Sequence, residues 1–447
     1  MSSATSAVSD TVAAFQPASS PDYVPREQLR DLQSHRLRQV VRQTYEQVAA
    51  YRQRMQKRGL TPEAIRTIDD LGQLPFTSQA DLSAGYPLGL LAVPLAQVAR
   101  LQHPSGTAGQ PIVVAYTRRD LDVWTEVVVR SLAACGVGPG DILQNACGGY
   151  DLFTDGLGLH AGAERLGATV IPISGGDADR QLMVLKDCGV SAICCPPSYF
   201  LYLLERAEKT GIDLRGLPLR AAALVTESWS ESIRQRIEAA AGIKAYDIYG
   251  VPELIGPGVG AECCHQHGLH LWEDHFYPEI VDPATGQPLP DGQEGELVLT
   301  TLSREALPLI RFRTRDLTAV IAEPCPCGRT MRRIRRIGRH GEDMFVVQGV
   351  TVRLSQIEAA LRSVTGLVPD YLVVLTQEQG LDQAEVQVEV TPQIISDRVS
   401  AMEALQGKLA QEVEHMLGIR VAVRLVEPRT IQRSRGQGKR VVDQRGT

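Results

Sequence analysis

The middle of the chain alternates helical patterns with short apolar runs, and this alternation constrains the fold more than any other feature. Helical patterns cover residues 121–135, 180–188 and 230–241, and apolar runs cover residues 169–173, 192–195 and 221–225. Because a helix between two strands returns the chain to a parallel neighbouring strand, the pattern predicts a mostly parallel sheet covered by helices. The expected fold class is therefore α/β.

Different patterns flank this region. Apolar residues recur at helical spacing over residues 26–58, which predicts one amphipathic helix. Residues 269–320 carry strand and turn patterns and predict a β-rich subdomain. Beyond Arg339 the sequence predicts a small α+β lid, with strands near residues 344–347, 371–375, 386–390 and 421–426 and helices near 355–364 and 396–417.

These patterns predict three parts: a disordered tail (1–22), a large domain (23–339) and a small C-terminal domain (340–447). The tail is rich in Ala and Ser and lacks the basic start and apolar core of a signal peptide.

Composition excludes several function classes. The chain has 447 residues and a net charge of -6, which argues against nucleic acid as the main partner. No apolar run reaches the roughly 18 residues needed to cross a bilayer, so no membrane partner is expected. The nine cysteines are an odd number at low density, which favours reduced thiols, a cytoplasmic location and a metal site.

A loop of small residues follows His103. Its glycines, Gly106 and Gly109, let backbone N–H groups face an anion, and Ser105 and Thr107 add hydroxyl donors. The loop is thus a candidate phosphate-binding loop. The alternative is a plain turn, because the same residue types dominate turns.

A second candidate site consists of cysteine and histidine. Cys263 precedes His270, and Cys325 and Cys327 flank a proline. Three thiolates and one imidazole satisfy tetrahedral zinc, and four protein ligands make the site structural. Cys264, His265 and His267 are competing ligands, and buried reduced cysteines are the alternative.

Short motifs occur along the chain from Pro25 to Asp443. They are Tyr116-Thr117-Arg118, Leu152-Phe153-Thr154, residues 162–168, Cys194-Cys195, Pro197-Ser198-Tyr199, Trp272-Glu273-Asp274-His275, Thr314-Arg315-Asp316-Leu317 and Ser355-Gln356-Ile357-Glu358. In these motifs the chain resembles the phenylacetate-CoA ligase family of adenylate-forming enzymes. The resemblance implies that an aryl acid is joined to AMP with ATP and magnesium. The mobile C-terminal domain then rotates, and coenzyme A displaces AMP.

The resemblance also implies roles for single residues. Asp316 matches the aspartate that binds the ribose hydroxyls, although an ion pair with a neighbouring arginine is the alternative. Glu253 would hold magnesium, because a hard cation prefers carboxylate oxygen. Tyr249 would lie against the adenine, with ordinary packing as the alternative, and Glu227 and Arg339 complete the expected nucleotide site.

Four positions depart from the family pattern where phosphate is held. Ala108 and Pro252 each lack a hydroxyl that the family has, and Gln110 and Gln437 each stand in place of a lysine. Gln437 aligns with the lysine that bridges the carboxylate and the α-phosphate, and Lys439, two residues on, is the expected substitute. These losses lead to the second hypothesis, a catalytically impaired or non-catalytic homologue that binds an aryl acid, an acyl-CoA or a partner subunit.

The remaining predictions concern substrates and partners. Tyr150, Phe153 and Tyr199 form an apolar, partly aromatic wall that suits an aromatic carboxylic acid. A run of arginines follows the second cysteine pair: Arg329, Arg332, Arg333, Arg335, Arg336 and Arg339. We expect the run to contact the phosphates of coenzyme A or acidic groups of the moving domain rather than nucleic acid. A face exposed to solvent is the default alternative. A homodimer is also expected.

Overall fold

The structure is a computed structural model that describes residues 17–103, 112–148, 155–337, 339–340, 344–347, 350–365, 369–378, 381–390, 399–417, 419–427, 430–431 and 440–444. The chain divides into two compact units, Met1–Gly338 and Arg339–Thr447. The domain boundary predicted between residues 339 and 340 lies one residue after this division.

The helices of the large unit are α1 (Arg26–Gln47), α2 (Ala49–Lys57), α3 (Gln79–Ala84), α4 (Arg118–Ala134), α5 (Asp155–Leu166), α6 (Ala178–Asp187), α7 (Pro197–Thr210) and α8 (Glu231–Ala241). Short 3-10 helices lie at Pro17–Tyr23, Pro62–Ala64, Ile68–Gln73, Leu95–Gln97 and Leu214–Gly216. Its strands are β1 (Val98–Gln102), β2 (Val114–Thr117), β3 (Ile142–Asn145), β4 (Thr169–Ile171), β5 (Ala192–Cys195), β6 (Ala221–Leu224), β7 (Lys244–Val251), β8 (Gly256–Glu262), β9 (Leu269–Leu271), β10 (Phe276–Val281), β11 (Gly295–Thr301), β12 (Phe312–Thr318), β13 (Val320–Ile321) and β14 (Arg333–Ile334).

One large mixed sheet dominates this unit. Its strand order is β13-β14-β9-β8-β7-β6-β5-β3-β4. The half from β4 to β7 is parallel, as predicted, whereas β7, β8, β9, β14 and β13 pair antiparallel. The prediction that residues from Leu269 onward belong to a separate β-rich subdomain is therefore wrong for β9, because β9 pairs with β8 in the large sheet.

The inner parallel strands β5 and β6 are buried on both faces. All four residues of β5 are buried, and successive side chains alternate between two hydrophobic cores. Cys194 packs into the larger core and Cys195 into the other. This is the period-two alternation of a strand covered on both faces by helices. Strands β10, β11 and β12 form a separate antiparallel arrangement, which confirms the predicted β-rich region.

The predicted N-terminal helix is interrupted. Val48 is extended, with φ -114° and ψ 107°, so α1 and α2 are separate helices where the sequence predicted one. Val48 is buried, and turning the chain there lets both helices pack on the same core. Local periodicity does not reveal such a turn, because both segments keep the helical spacing.

The tail prediction needs correction at its end. Residues 17–22 belong to a 3-10 helix in which Asp22 is fully buried, so disorder over 17–22 is wrong. The physical reason is a pair of ionic contacts: Asp22 accepts hydrogen bonds from Arg130 at 2.7 Å and from Arg329 at 2.9 Å. Residues 1–16 lie outside the described residues.

The small unit is α+β, as predicted. Its strands are β15 (Arg339–His340), β16 (Met344–Val347), β17 (Val350–Arg353), β18 (Tyr371–Glu378), β19 (Leu381–Glu389), β20 (Ala422–Val426) and β21 (Val441–Asp443), and its helices are α9 (Leu354–Thr365) and α10 (Val399–Leu417). The main sheet has the order β20-β19-β18-β21. Residues from both helices, including Ile357 and Val413, share one core with residues of β18 and β19.

Candidate active site and metal centre

Tyr249 and Asp316 lie together in the candidate nucleotide site. Tyr249 is on β7, Asp316 is on β12, and both are buried. The Tyr249 hydroxyl donates a hydrogen bond to Oδ2 of Asp316. Burial, and then the Asp316 charge, raises the pKa of Tyr249 well above its usual value, so the phenol keeps its proton. Tyr249 and Asp316, both predicted from the sequence to bind the nucleotide, are thus in contact.

A bulge in β12 shapes the backbone around Asp316. Val298 pairs with Arg313 and Glu296 with Leu317, so β12 has two more residues than β11 over this stretch. Arg315, within the bulge, has φ 64°, a conformation that L-residues adopt infrequently. Such local strain is concentrated at functional sites.

The alternative for Asp316 was an ion pair with a neighbouring arginine, but Arg313 pairs with a different carboxylate. Its guanidinium donates to Glu296, with Nε at 2.9 Å from Oε2. The Asp316 backbone N–H donates to Oγ1 of Thr314 at 3.1 Å, which orients the bulge from within.

Glu253 occupies the turn between β7 and β8, close to Tyr249. It is half-buried, and its Oε1 accepts a hydrogen bond from Gln79 at 3.4 Å. The Tyr116 hydroxyl donates a hydrogen bond to the carbonyl of Ile255 at 3.2 Å, which holds the end of this turn. The Glu253 charge contributes to the raised pKa of Tyr249, so the two groups are electrostatically coupled. A carboxylate in this position suits a magnesium ion beside a nucleotide.

Glu227 lies at the same sheet edge but is already engaged. Leu224 of β6 pairs with Asp247 of β7, so Glu227, three residues later, follows the carboxyl end of β6. Its two oxygens accept hydrogen bonds from Ser198, one from the backbone N–H at 3.0 Å and one from the hydroxyl at 2.7 Å. A carboxylate at the start of α7 stabilises that helix. Sequence analysis missed this structural role, and the nucleotide role stays a prediction.

Tyr199 stands in the first turn of α7, at the carboxyl edge of the parallel strands. Its hydroxyl donates to the Gly176 carbonyl at 2.9 Å, and its ring lies 6.1 Å from that of Tyr202. Burial raises the pKa of Tyr199 to about 12, so the side chain is neutral. Ligands of open α/β sheets bind at this edge, which agrees with a place in the acid pocket.

Several predicted site residues lie outside the described residues: Ser105, Gly106, Thr107, Gly109, Tyr150, Phe153, Gln437 and Lys439. Arg339 falls in the short strand β15, and its side chain is likewise outside the description.

The four predicted zinc ligands meet in one cluster. The Cys263, Cys325 and Cys327 sulfurs and a ring nitrogen of His270 all lie within 4.8 Å of one another. The Cys263 and Cys325 sulfurs are 3.6 Å apart, and the Cys327 sulfur lies 3.4 Å from Nε2 of His270. Tetrahedral zinc with Zn–S bonds of about 2.3 Å places two sulfurs about 3.8 Å apart, so the donor set fits this ion.

The cluster joins distant parts of the chain. Cys263 directly follows β8, His270 is in β9, and Cys325 and Cys327 lie on the loop before β14. The Cys263 thiol and then His270 lower the pKa of Cys327, so this sulfur is a thiolate. Cys264, His265 and His267 are not among the four clustered ligands.

The arginine run does not form one ligand-facing patch. Arg329 pairs with Asp22 at 2.9 Å, and Arg333 donates to the carbonyl of His267 at 2.6 Å. Arg332 lies 3.8 Å from Glu273, and Arg336 pairs with Asp247 at 3.2 Å. Each of these four side chains thus has a partner within the large unit, and contact with coenzyme A or with the moving domain stays a prediction.

A buried ionic network went unnoticed in the sequence. Arg130 is fully buried and forms two hydrogen bonds with Asp274, at 3.0 and 3.1 Å, besides its bond to Asp22. His275 lies 3.1 Å from Asp274 and 3.5 Å from Glu126. The Trp272-Glu273-Asp274-His275 motif stood out in the sequence, but only the structure shows which residues its side chains contact.

Comparisons with known proteins agree with this geometry. The sequence model described as AMP-binding enzyme matches residues 30–302, and that of the AMP-binding enzyme C-terminal domain matches residues 349–445. The fold and site thus define an AMP-binding enzyme of the adenylate-forming class.

Curated relatives narrow the class. A phenylacetate-coenzyme A ligase of Thermus thermophilus is 45% identical over 94% of this chain and 98% of its own length. One of Escherichia coli is 42% identical over 94% of this chain and 95% of its own length. The chain belongs to the phenylacetate-CoA ligase family.

A solved structure extends the likeness to the fold of nearly the whole chain. A 2-hydroxyisobutyryl-CoA ligase, in the postadenylation state with an acyl-AMP, has a TM-score of 0.80 and 27% identity, covering 97% of this chain and 94% of its own.

Proposed function

We propose that this protein is an ATP-dependent CoA ligase for an aryl acid similar to phenylacetate. The reaction has two steps: the acid carboxylate attacks the α-phosphorus of ATP and releases pyrophosphate, and the thiol of coenzyme A then attacks the acyl carbon and releases AMP. The single observation that carries the proposal is the Tyr249–Asp316 contact in a chain 42% to 45% identical to phenylacetate-CoA ligases. Nothing in the comparisons favours the non-catalytic alternative.

Each described site residue has a role in this proposal. Asp316 accepts hydrogen bonds from the ribose hydroxyls and is kept in place by the Tyr249 hydroxyl. Glu253 would hold magnesium, which neutralises charge on the ATP phosphates. Lys439 supplies the positive charge at the reacting carboxylate, in place of the missing lysine at Gln437.

The acid pocket is assigned to the carboxyl edge of the parallel strands. Support comes from Tyr199, whose ring stands there with its hydroxyl bonded to Gly176. A neutral aromatic ring without a free hydroxyl favours an apolar ring on the substrate over a charged one. Tyr150 and Phe153 complete the proposed wall.

The test supplies purified protein with ATP, magnesium, coenzyme A and one of three acids: phenylacetate, benzoate or an aliphatic acid of similar size. Release of pyrophosphate and formation of AMP and acyl-CoA are measured, with Asp316→Ala as the control. Thioester with an aryl acid supports the proposal. Folded protein that releases no pyrophosphate with any acid would overturn it and favour the non-catalytic reading.

We also propose that the Cys263, His270, Cys325 and Cys327 cluster holds structural zinc. Support comes from the sulfur separation of 3.6 Å and from a donor set of three sulfurs and one nitrogen, which leaves no coordination position for a substrate. The ion would connect β8, β9 and the loop before β14 at one end of the large sheet.

The cytoplasmic location and the homodimer are further proposals. All nine cysteines are free of disulfide bonds, which favours a reducing compartment. Within the described part of the chain, none of the helices has the length and apolarity needed to span a bilayer. Light scattering on purified protein tests the dimer: the mass of one chain would overturn it.

A further inference from the structure

Arg336 lies two residues before the point where the chain passes from the large unit to the small one. Its guanidinium lies 4.1 Å from the centre of the Trp229 ring. It also donates to the Trp229 carbonyl at 2.8 Å and to Asp247 at 3.2 Å, and it is 3.4 Å from Glu231. One side chain thus contacts α8, Trp229 two residues before it, and β7.

The groups around Arg336 are themselves fixed. Glu262 is fully buried and accepts two hydrogen bonds from Arg234, at 2.7 and 2.9 Å. The backbone N–H of Asp247 donates to the same carboxylate at 2.8 Å. Arg234 also lies 5.0 Å from the centre of the Trp229 ring. Two of the groups that Arg336 contacts, Trp229 and Asp247, are therefore themselves held by buried neighbours.

This surface belongs to the same strand as the nucleotide site. Asp247 precedes Tyr249 by two residues on β7, so their side chains share one face of the strand. The backbone next to Arg336 is held as well: the Arg335 N–H donates to the Ala319 carbonyl at 2.9 Å. The chain leaving the large unit is consequently fixed to the strand that carries Tyr249.

We propose that Arg336 is a positioning residue that fixes the large-unit end of the junction relative to β7. The inference rests on the proposed function, in which the second step requires the small domain to move. The contact with the Trp229 ring and the two carboxylate partners suit the planar guanidinium, which an ammonium group does not reproduce. Loosening this contact would misplace the start of the small unit without altering the groups that bind ATP.

The variants are Arg336→Met and Arg336→Lys, with Arg236→Met as the matched control, because Arg236 is an exposed arginine of α8 that pairs with Glu205. We expect Arg336→Met to slow thioester formation from preformed acyl-AMP about 10 to 100-fold, since misplacement far from the reacting atoms has effects of this size. The KM for ATP should differ from the wild-type value by less than about twofold, because the substitution leaves the groups that bind ATP in place. Arg336→Lys should restore only part of the rate.

A merely structural role predicts a different result: both half-reactions would fall together with the fraction of folded protein. Equal loss in pyrophosphate exchange and in thioester formation, or a rate for Arg336→Met equal to that of Arg236→Met, would overturn the inference.

Hydrogen exchange tests the same inference without activity. In Arg336→Met the Arg335 amide should exchange faster than in wild type, whereas Arg236→Met should leave the exchange of residues 335–337 unchanged. Unaltered exchange in Arg336→Met would reject the positioning role even if wild type is active. If the wild type has no ligase activity but Arg336→Met still shows the faster exchange, the proposed function is rejected and the positioning role is kept.

Discussion

The hydroxyl of Tyr249 donates a hydrogen bond to the carboxylate of Asp316 across 67 positions of the sequence. This contact joins the last parallel strand of the large sheet to the β10–β12 strands. Because the tyrosine stays protonated, its hydroxyl remains the donor in this bond and orients the Asp316 carboxylate. The Asp316 carboxylate is therefore held in one orientation before a ligand binds, and its predicted role in binding the ribose can be tested by substitution.

Asp316→Asn should raise the KM for ATP. A hydrogen bond to a charged group contributes about 1.5 to 3 kcal/mol, so the expected rise is about 10 to 150-fold. Tyr249→Phe should have a smaller effect, because it removes the orienting donor but keeps the charge. Asp291→Asn, at an exposed position, is the control. The test is the dependence of pyrophosphate release on ATP, and an unchanged KM for Asp316→Asn would refute the ribose role.

Lys439→Ala should abolish acid-dependent pyrophosphate release, and Gln437→Ala should change it little. The reason is that the transition state gathers negative charge, and a preorganised donor there contributes about 100 to 1000-fold in rate. Gln437→Lys together with Gln110→Lys should help more than the sum of the two, because both act on one transition state. Ordinary wild-type rates that survive Lys439→Ala would show that another group supplies the charge.

Cys325→Ser should lower the thermal stability and the zinc content. A closed site contributes folding free energy directly, so elemental analysis should find about one zinc per chain in wild type and less in the variant. Cys264→Ser is the matched control, because Cys264 is exposed and outside the cluster. Metal-free wild type with the same melting temperature as protein refolded with zinc would contradict the zinc proposal.

Asp22→Asn should destabilise the large unit. The substitution leaves the fully buried guanidinium of Arg130 with one carboxylate fewer, and loss of one partner of a buried pair costs about 3 to 5 kcal/mol. Asp31→Asn, at an exposed position of α1, should have little effect. Thermal melting of both variants provides the comparison. Equal melting temperatures would contradict a stabilising role for the Asp22 ion pairs.

His275 should make stability depend on pH. Burial alone lowers the pKa of His275, but Asp274 and then Glu126 outweigh it, so the pKa rises above the usual 6.5. A raised pKa means that the folded state binds the proton more tightly. The resulting stability is complete below about 6.5 and is lost as the pH rises through the folded-state pKa.

The variant His275→Gln removes this dependence. The melting temperature of wild type should exceed that of the variant by more at about pH 6 than at about pH 9. The charged groups that face the imidazole, Asp274, Glu126 and Arg130, are the same in both proteins. A gap that stays constant or widens toward high pH would contradict a raised pKa.

Some of this site could be predicted because its signals are local. Cys325-Pro326-Cys327 and the separate Cys263 and His270 indicated a four-ligand cluster, and the structure brings those four side chains together. Asp316 and Tyr249 were chosen from short motifs, and they are in contact. Residue chemistry and spacing carry such information without knowledge of the fold.

Other features depend on contacts that local patterns do not encode. Asp22 was assigned to a disordered tail, yet Arg130 and Arg329, more than 100 and 300 positions away, bury it. The arginine run was treated as one surface, but its members pair with separate partners: Arg329 with Asp22, Arg333 with the carbonyl of His267, and Arg336 with Asp247.

The sequence by itself determined the α/β class, the likeness to adenylate-forming enzymes, and the residue types of both candidate sites. These follow from periodicity and from short motifs, which neighbouring residues define. The tertiary structure decided that β9 continues the large sheet, that α1 and α2 separate at Val48, and that Arg336 packs on Trp229. Each of these depends on free energy gained between residues far apart in sequence, through buried surface and paired charge, which the order of residues alone does not display.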